Sequence, residues 1–153
     1  RAHYAQPCSM AEMTAWLDAM PIADEASLSR ALRTLRKRVM LKLLTRDLCG
    51  LADLDEVMSS MSALAELVVR RAQAFVMQAL MAQYGQPIGA TSGLPQEMLV
   101  IGMGKLGGRE LNVSSDIDLI FVYPEDGNST GTRAISNQEF FSKLGRRIRI
   151  IFY

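Results

Sequence analysis

Histidine, tryptophan and cysteine are scarce in this sequence: one His, one Trp and two Cys among 153 residues. Two cysteines, Cys8 and Cys49, are too few for a disulfide framework, which fits a reduced, cytoplasmic setting. The single histidine, His3, stands apart from every motif described below. No apolar run approaches the roughly 18 residues that would span a membrane, and no secretory leader opens the chain. The first residue is Arg1 rather than Met, so the sequence reads as a piece of something longer. The net charge is only +1, so overall charge selects no partner. The basic residues between Arg30 and Arg46 are not interleaved with aromatic ones, so that segment offers single-stranded nucleic acid no stacking platform. What remains is a hydrophobic content of 49%, enough for the core of one modest domain.

The first half of the chain has helical periodicity. Ser9 and Glu12 have the spacing of a capping box, Met13, Trp16, Leu17 and Met20 recur on one face, and Pro21 ends the run. A second helix is predicted from about Asp24 to Cys49, with Gly50 as its stop. Leu28, Leu32, Leu35, Val39 and Leu43 form its apolar stripe. Arg30, Arg33, Arg36, Lys37, Arg38, Lys42 and Arg46 read as its solvated basic faces. A third helix is predicted from Asp53 or Asp55 to Tyr84, packed antiparallel to the second across the short turn at Gly50. The methionines read as gap-filling core residues. Residues 85–97, rich in Gly and Pro, read as a linker. The division is therefore 1–84 helical lead-in, 85–97 linker and 98–153 catalytic core. Late in the chain Asn137 is predicted to cap a helix through Phe140, Phe141, Leu144 and Ile148. No hairpin return is evident after the likely turn at Asp126-Gly127.

The chemistry lies in Met98 to Tyr123, MLVIGMGKLGGRELNVSSDIDLIFVY. Met98 to Ile101 reads as a buried strand. Glycines follow at 102, 104, 107 and 108, then Ser114 and Ser115 lead into Asp116-Ile117-Asp118 and the apolar run Leu119 to Val122. On a strand, residues two apart share a face, so Asp116 and Asp118 are predicted to point the same way. Paired carboxylates repel unless a cation sits between them, and a hard divalent ion such as Mg²⁺ suits that chemistry. Such an ion also holds substrate phosphates and offsets charge during phosphoryl transfer. The upstream glycines let the backbone approach an anion closely, and Ser115 adds a hydroxyl. Glycine turn, serine and paired aspartates together suggest nucleotidyl transfer.

Two other phosphate-binding patterns fail here. Gly102-Met103-Gly104-Lys105-Leu106-Gly107 spells the dinucleotide-binding G-x-G-x-x-G, but that motif's acidic residue lies about 20 residues further on, beyond a crossover helix. The span from Gly108 to Asp116 is too short for that helix. A Walker A loop needs Ser or Thr after its lysine, where this chain has Leu106.

The segment GMGKLGGRELNVSSDIDLIFVYPE resembles the nucleotidyltransferase superfamily that includes DNA polymerase β. More narrowly, it resembles the glutamate-ammonia ligase adenylyltransferase family, whose members carry two similar nucleotidyltransferase halves. Leu111-Asn112-Val113-Ser114-Ser115-Asp116-Ile117-Asp118 is similar to the N-terminal, adenylyl-removing half. The other half more usually has Gly and Tyr after the Leu, and Leu between the aspartates. A weaker similarity to the helical lead-in of the same half covers Leu32 to Val57.

The resemblance implies an α+β fold, with a long-helix region followed by a partial, polymerase β-like mixed sheet. It implies an Mg²⁺-dependent enzyme in which phosphate attacks the adenylyl group on a glutamine synthetase tyrosine and releases ADP. Asp116 and Asp118 would be the catalytic and metal-binding residues, with Gly104, Lys105, Gly107, Gly108 and Ser115 holding phosphate or nucleotide. Gly107-Gly108 is the phosphate-loop pair by resemblance, while Gly104-Lys105 better fits the family's separation from the first aspartate, so both remain candidates. Glutamine synthetase, nucleotide, phosphate and a nitrogen-signalling regulatory protein are the implied partners. The family's third carboxylate, on a later strand, has no counterpart before Tyr153, so these residues alone are expected to be inactive and to leave an open sheet edge. Two alternatives stay open: the adenylylating half, using ATP, and a non-catalytic helical interaction module built on the basic helix.

Overall fold

The computed structural model describes residues 5–152, so His3 and Tyr153 lie outside the described residues. The architecture is α+β, and the chain divides into two compact units. One comprises the described part of Arg1–Val69 together with Gly102–Asp118, and the other Arg70–Ile101 with the described part of Leu119–Tyr153. Among the described residues no helix is long and apolar enough to cross a membrane.

The first unit begins with α1, Met10–Asp18, where Ser9 Oγ accepts the Glu12 amide at 3.2 Å. Met13 and Leu17 on this helix are fully buried. α2, Glu25–Leu48, starts at a reciprocal capping box: Asp24 Oδ1 accepts the Ser27 amide at 2.7 Å, and Ser27 Oγ accepts the Asp24 amide at 2.9 Å. Leu28, Leu32, Leu35, Val39 and Leu43 are its buried stripe. It ends at Gly50, whose φ of +66° is left-handed and costs glycine little.

The solvated-face reading of the basic residues fails at two of the seven. Lys42 and Arg46 are buried. Helical phase explains it, because 42 and 46 follow Leu35, Val39 and Leu43 around the same inward side. Each finds a carboxylate: Lys42 Nζ lies 2.7 Å from Glu12 Oε2, and Arg46 Nε lies 2.6 Å from Glu56 Oε1. Arg38 stacks over the Trp16 ring, 3.9 Å from its centroid.

α3, Leu54–Tyr84, has 31 residues and is therefore roughly 46 Å long. Asp53 Oδ1 accepts the Glu56 amide at its start. Met61, Leu64, Leu67 and Val69 are buried in the first unit, and Ala72, Val76 and Leu80 in the second.

In the second unit, residues 85–97 contain a strand. β1, Pro87–Gly89, pairs antiparallel with β4, Gly127–Ser129, in the register Pro87↔Ser129, Ile88↔Asn128, Gly89↔Gly127. β4 pairs with β1 and not with the preceding strand of the chain, so the 124–126 turn closes no hairpin. The Glu125 carboxylate accepts the Ser92 hydroxyl and the backbone amides of Ser92 and Thr91. These donors, Ser92 foremost, hold its acidity at about pKa 2.

α5, Asn137–Phe152, buries Phe140, Phe141, Leu144, Ile148 and Ile151. Its capping residue is Ser136, not Asn137: Ser136 Oγ accepts the Glu139 amide at 3.2 Å. Asn137 shares a face with Phe140, Phe141 and Leu144, so it points inward. Fully buried, its Nδ2 donates to the carbonyls of Ile88 and Glu125, each at 3.0 Å.

A second two-stranded sheet joins β2, Leu99–Met103, and β3, Asp118–Val122. The expectation that the first of these strands is buried is overturned. Leu99 is 57% and Ile101 46% exposed, and Ile120, Phe121 and Val122 are exposed as well. With two strands in this sheet, much of its apolar composition has no covering layer.

Candidate functional site

All seven residues singled out from the sequence fall within Gly102–Asp118, in the first unit. β2 ends at Met103, and the backbone turns at Gly104, with a φ of +53°, into the four-residue helix α4, Gly104–Gly107. This turn places the backbone beside a carboxylate: a Cβ on Gly104 would be in ordinary contact, 3.4 Å, with Asp118 Oδ2. Gly107 has a different task. A Cβ there would meet the Gly102 carbonyl oxygen at 2.6 Å, so its hydrogen lets the turn close upon itself. Gly108 lies beside the Glu110 side chain.

Two buried leucines, Leu106 and Leu111, anchor the loop. The Leu111 amide donates to Ser62 Oγ on α3 at 3.4 Å. Arg109, in a left-handed conformation, forms a 3.4 Å surface ion pair with Glu66. Beyond Leu111, Asn112 Oδ1 gathers three donors: the Ser114 amide at 3.2 Å, Ser114 Oγ at 3.1 Å and Ser115 Oγ at 2.7 Å. Lys105 Nζ in turn donates to Ser115 Oγ at 3.4 Å. Lysine, serine and asparagine thus form one chain of hydrogen bonds across the loop.

Asp118 is the first residue of β3, while Asp116 precedes the strand. The alternation rule therefore applies from Asp118 onward, and the loop sets the direction of Asp116. Both carboxylates are exposed. Among the described residues neither has a hydrogen-bond or ion-pair partner. Oxygen lone pairs left open on two nearby aspartates suit a hard cation. No cluster of three or more His, Cys, Asp or Glu able to hold a metal ion occurs among the described residues. Two carboxylates can bind Mg²⁺ only when waters and substrate phosphates complete its shell.

The structure therefore brings Gly104 to Asp118 and Lys105 to Ser115, and gives Gly107 the closure of the turn. Asn112 is the residue that the chemical reading of the sequence missed. Its signal was present, since an Asn two and three residues before serines forms side-chain turns with them. In the second unit a groove of about 330 Å³, lined by Phe121, Tyr123, Phe141, Gly145 and Arg146 among others, contains none of these residues.

Comparison with known proteins gives concordant results. The family model described as glutamate-ammonia ligase adenylyltransferase matches residues 1–153. Similar curated proteins bear the name bifunctional glutamine synthetase adenylyltransferase/adenylyl-removing enzyme. That of Nitrosomonas europaea is 54% identical over 132 residues, covering 85% of this chain and 14% of the relative. That of Chromobacterium violaceum is 54% identical over 142 residues, 93% of this chain and 16% of the relative. That of Ralstonia nicotianae is 52% identical over 153 residues, 97% of this chain and 16% of the relative. The chain thus spans 14–16% of the length of these relatives.

Proposed function

Because the chain belongs to the glutamate-ammonia ligase adenylyltransferase family, we propose that it carries the nucleotide-transfer loop of an adenylyl-removing centre acting on glutamine synthetase in the cytoplasm. The observation that carries this reading is the approach of the Gly104 backbone to the Asp118 carboxylate, beside the Lys105–Ser115–Asn112 chain. Anion-binding backbone, a cation, a hydroxyl and carboxylates are thereby gathered in one exposed loop.

The reaction is phosphorolysis. A phosphate oxygen attacks the phosphorus of the tyrosyl adenylate. The bond from that phosphorus to the tyrosine oxygen breaks, ADP leaves, and the proton carried by the attacking phosphate passes to the phenolate. Phosphate is already nucleophilic, so the loop needs no strong general base. Bound at Asp116 and Asp118, Mg²⁺ would supply alignment of the phosphates and offset charge on the transferring group. Gly104 keeps the turn beside the Asp118 carboxylate, and Lys105 attracts the phosphate. Asn112 positions Ser115 by accepting a hydrogen bond from its hydroxyl, while Lys105 donates to the same oxygen. The adenylyl-removing direction rests on Asn112-Val113 and Ile117, the positions that resemble that half. A nitrogen-signalling protein as regulator belongs to the same reading.

The test uses the longer enzyme that contains this segment. With adenylylated glutamine synthetase, phosphate and Mg²⁺, Asp118→Asn is expected to abolish ADP release. ATP-dependent transfer of AMP to unmodified glutamine synthetase is expected to persist. Loss of the second activity with retention of the first would assign this loop to the adenylylating half.

A further inference from the structure

The outer side of α2 carries a seam that the core does not use. Arg30, Thr34, Lys37, Leu41, Leu44 and Leu48 are spaced four, three, four, three and four apart, the a/d spacing of a coiled coil. All six are exposed. The three leucines are 59%, 55% and 78% exposed, respectively, so the seam changes along its length from cationic to apolar. Arg33, also exposed, flanks the cationic half at a g-type position, where interhelical ion pairs form. α2 itself has two acids, Glu25 and Asp47, and neither falls on the seam.

These features say what covers it. A second copy fits poorly. In a parallel pair Arg30 and Lys37 would face their own equivalents, and like charges at facing positions destabilise. In an antiparallel pair centred on Leu44, Lys37 would face residue 51, beyond the end of the helix at Leu48. We propose that the outer face of α2 docks an amphipathic partner helix whose apolar stripe covers Leu41, Leu44 and Leu48 and whose adjoining carboxylates meet Arg30, Arg33 and Lys37. Leucines supply the buried area, and the cationic half fixes register and polarity.

The test titrates the full chain into a labelled synthetic helix of about three heptads, with leucines in one half of its seam and glutamates in the other, read by fluorescence anisotropy. A matching peptide with lysines in place of the glutamates is the control. The chain is expected to bind the glutamate peptide and to prefer it by about tenfold over the lysine peptide. That preference should vanish near 1 M salt, where the Debye length is about 3 Å. Leu44→Glu should remove binding, and the combined Arg30→Glu and Lys37→Glu variant should invert the peptide preference. All three positions are exposed, so unchanged circular dichroism is expected and serves as the folding control. Equal affinity for the two peptides, or no binding of either, would overturn the proposal. So would dimerisation of the chain alone that Leu44→Glu reverses, because the seam would then belong to a second copy.

Discussion

β1 and β4 run for three residues each and are tied by side chains from neighbouring segments, whereas β2 and β3 run for five residues each and leave much of their apolar surface exposed. In the first pair Asn137 satisfies the Ile88 carbonyl and Glu125 clamps the turn after Gly89. The flanking backbone adds bonds from Thr130 to Gln86 and from Ser129 to Ile135. The second pair consists mainly of Leu, Val, Ile and Phe, the residues most at home in strands. At this size, polar groups that complete the backbone's hydrogen bonds can cover a sheet better than strand composition does.

Replacing Asn137 tests that contrast most severely. Asn137→Ala strips a donor from two carbonyls at a fully buried position, and an unsatisfied buried group costs about 1–3 kcal/mol. The expected loss is about 3 kcal/mol in urea-induced unfolding. A loss below about 1 kcal/mol would mean that the short sheet holds without its side-chain ties.

Acidification breaks the same sheet from its other side. The Glu125 carboxyl, held near 2 against an ordinary value of 4.5, contributes stability that is fully present above the ordinary value. That contribution falls away as pH drops toward 2. Unfolding midpoints measured between pH 5 and pH 2 are expected to decline more steeply for the parent chain than for Glu125→Gln. Parallel curves would remove Glu125 from the account.

The smallest effect is expected at the longer sheet. Ile120 is 46% exposed, and Ile120→Thr should change stability by no more than about 0.5 kcal/mol. A larger loss would show that β3 is covered after all and would erase the contrast.

The parts of the molecule legible in the sequence are those governed by near neighbours. Ser9, Asp24 and Gly50 mark helix ends because capping involves residues three or four positions away. The glycine–serine–aspartate loop is legible as chemistry for the same reason. Lys42 and Arg46 were not, because their burial depends on Glu12, 30 residues away, and on Glu56, ten residues away. β1 and β4, spelled Pro-Ile-Gly and Gly-Asn-Ser, lack any apolar alternation and exist through pairing across the chain. In the site, the approach of Gly104 to Asp118 required the loop to close; spacing favoured Gly104-Lys105 while resemblance favoured Gly107-Gly108, and both stayed candidates.

Arg46 joins three consecutive pieces of chain. It leaves the last turns of α2, donates to the Leu51 carbonyl at 2.8 Å in the connection, and grips both oxygens of Glu56 in the first turn of α3. Helix ends ordinarily fray one residue at a time, and their amides exchange with solvent in a gradient. Here fraying of either end must first separate the Arg46 guanidinium from the Glu56 carboxylate and the Leu51 carbonyl. The amides from Thr45 to Val57 should therefore trade hydrogen for deuterium together, in a single opening event, and the corner between the two long helices should behave as one cooperative hinge pin.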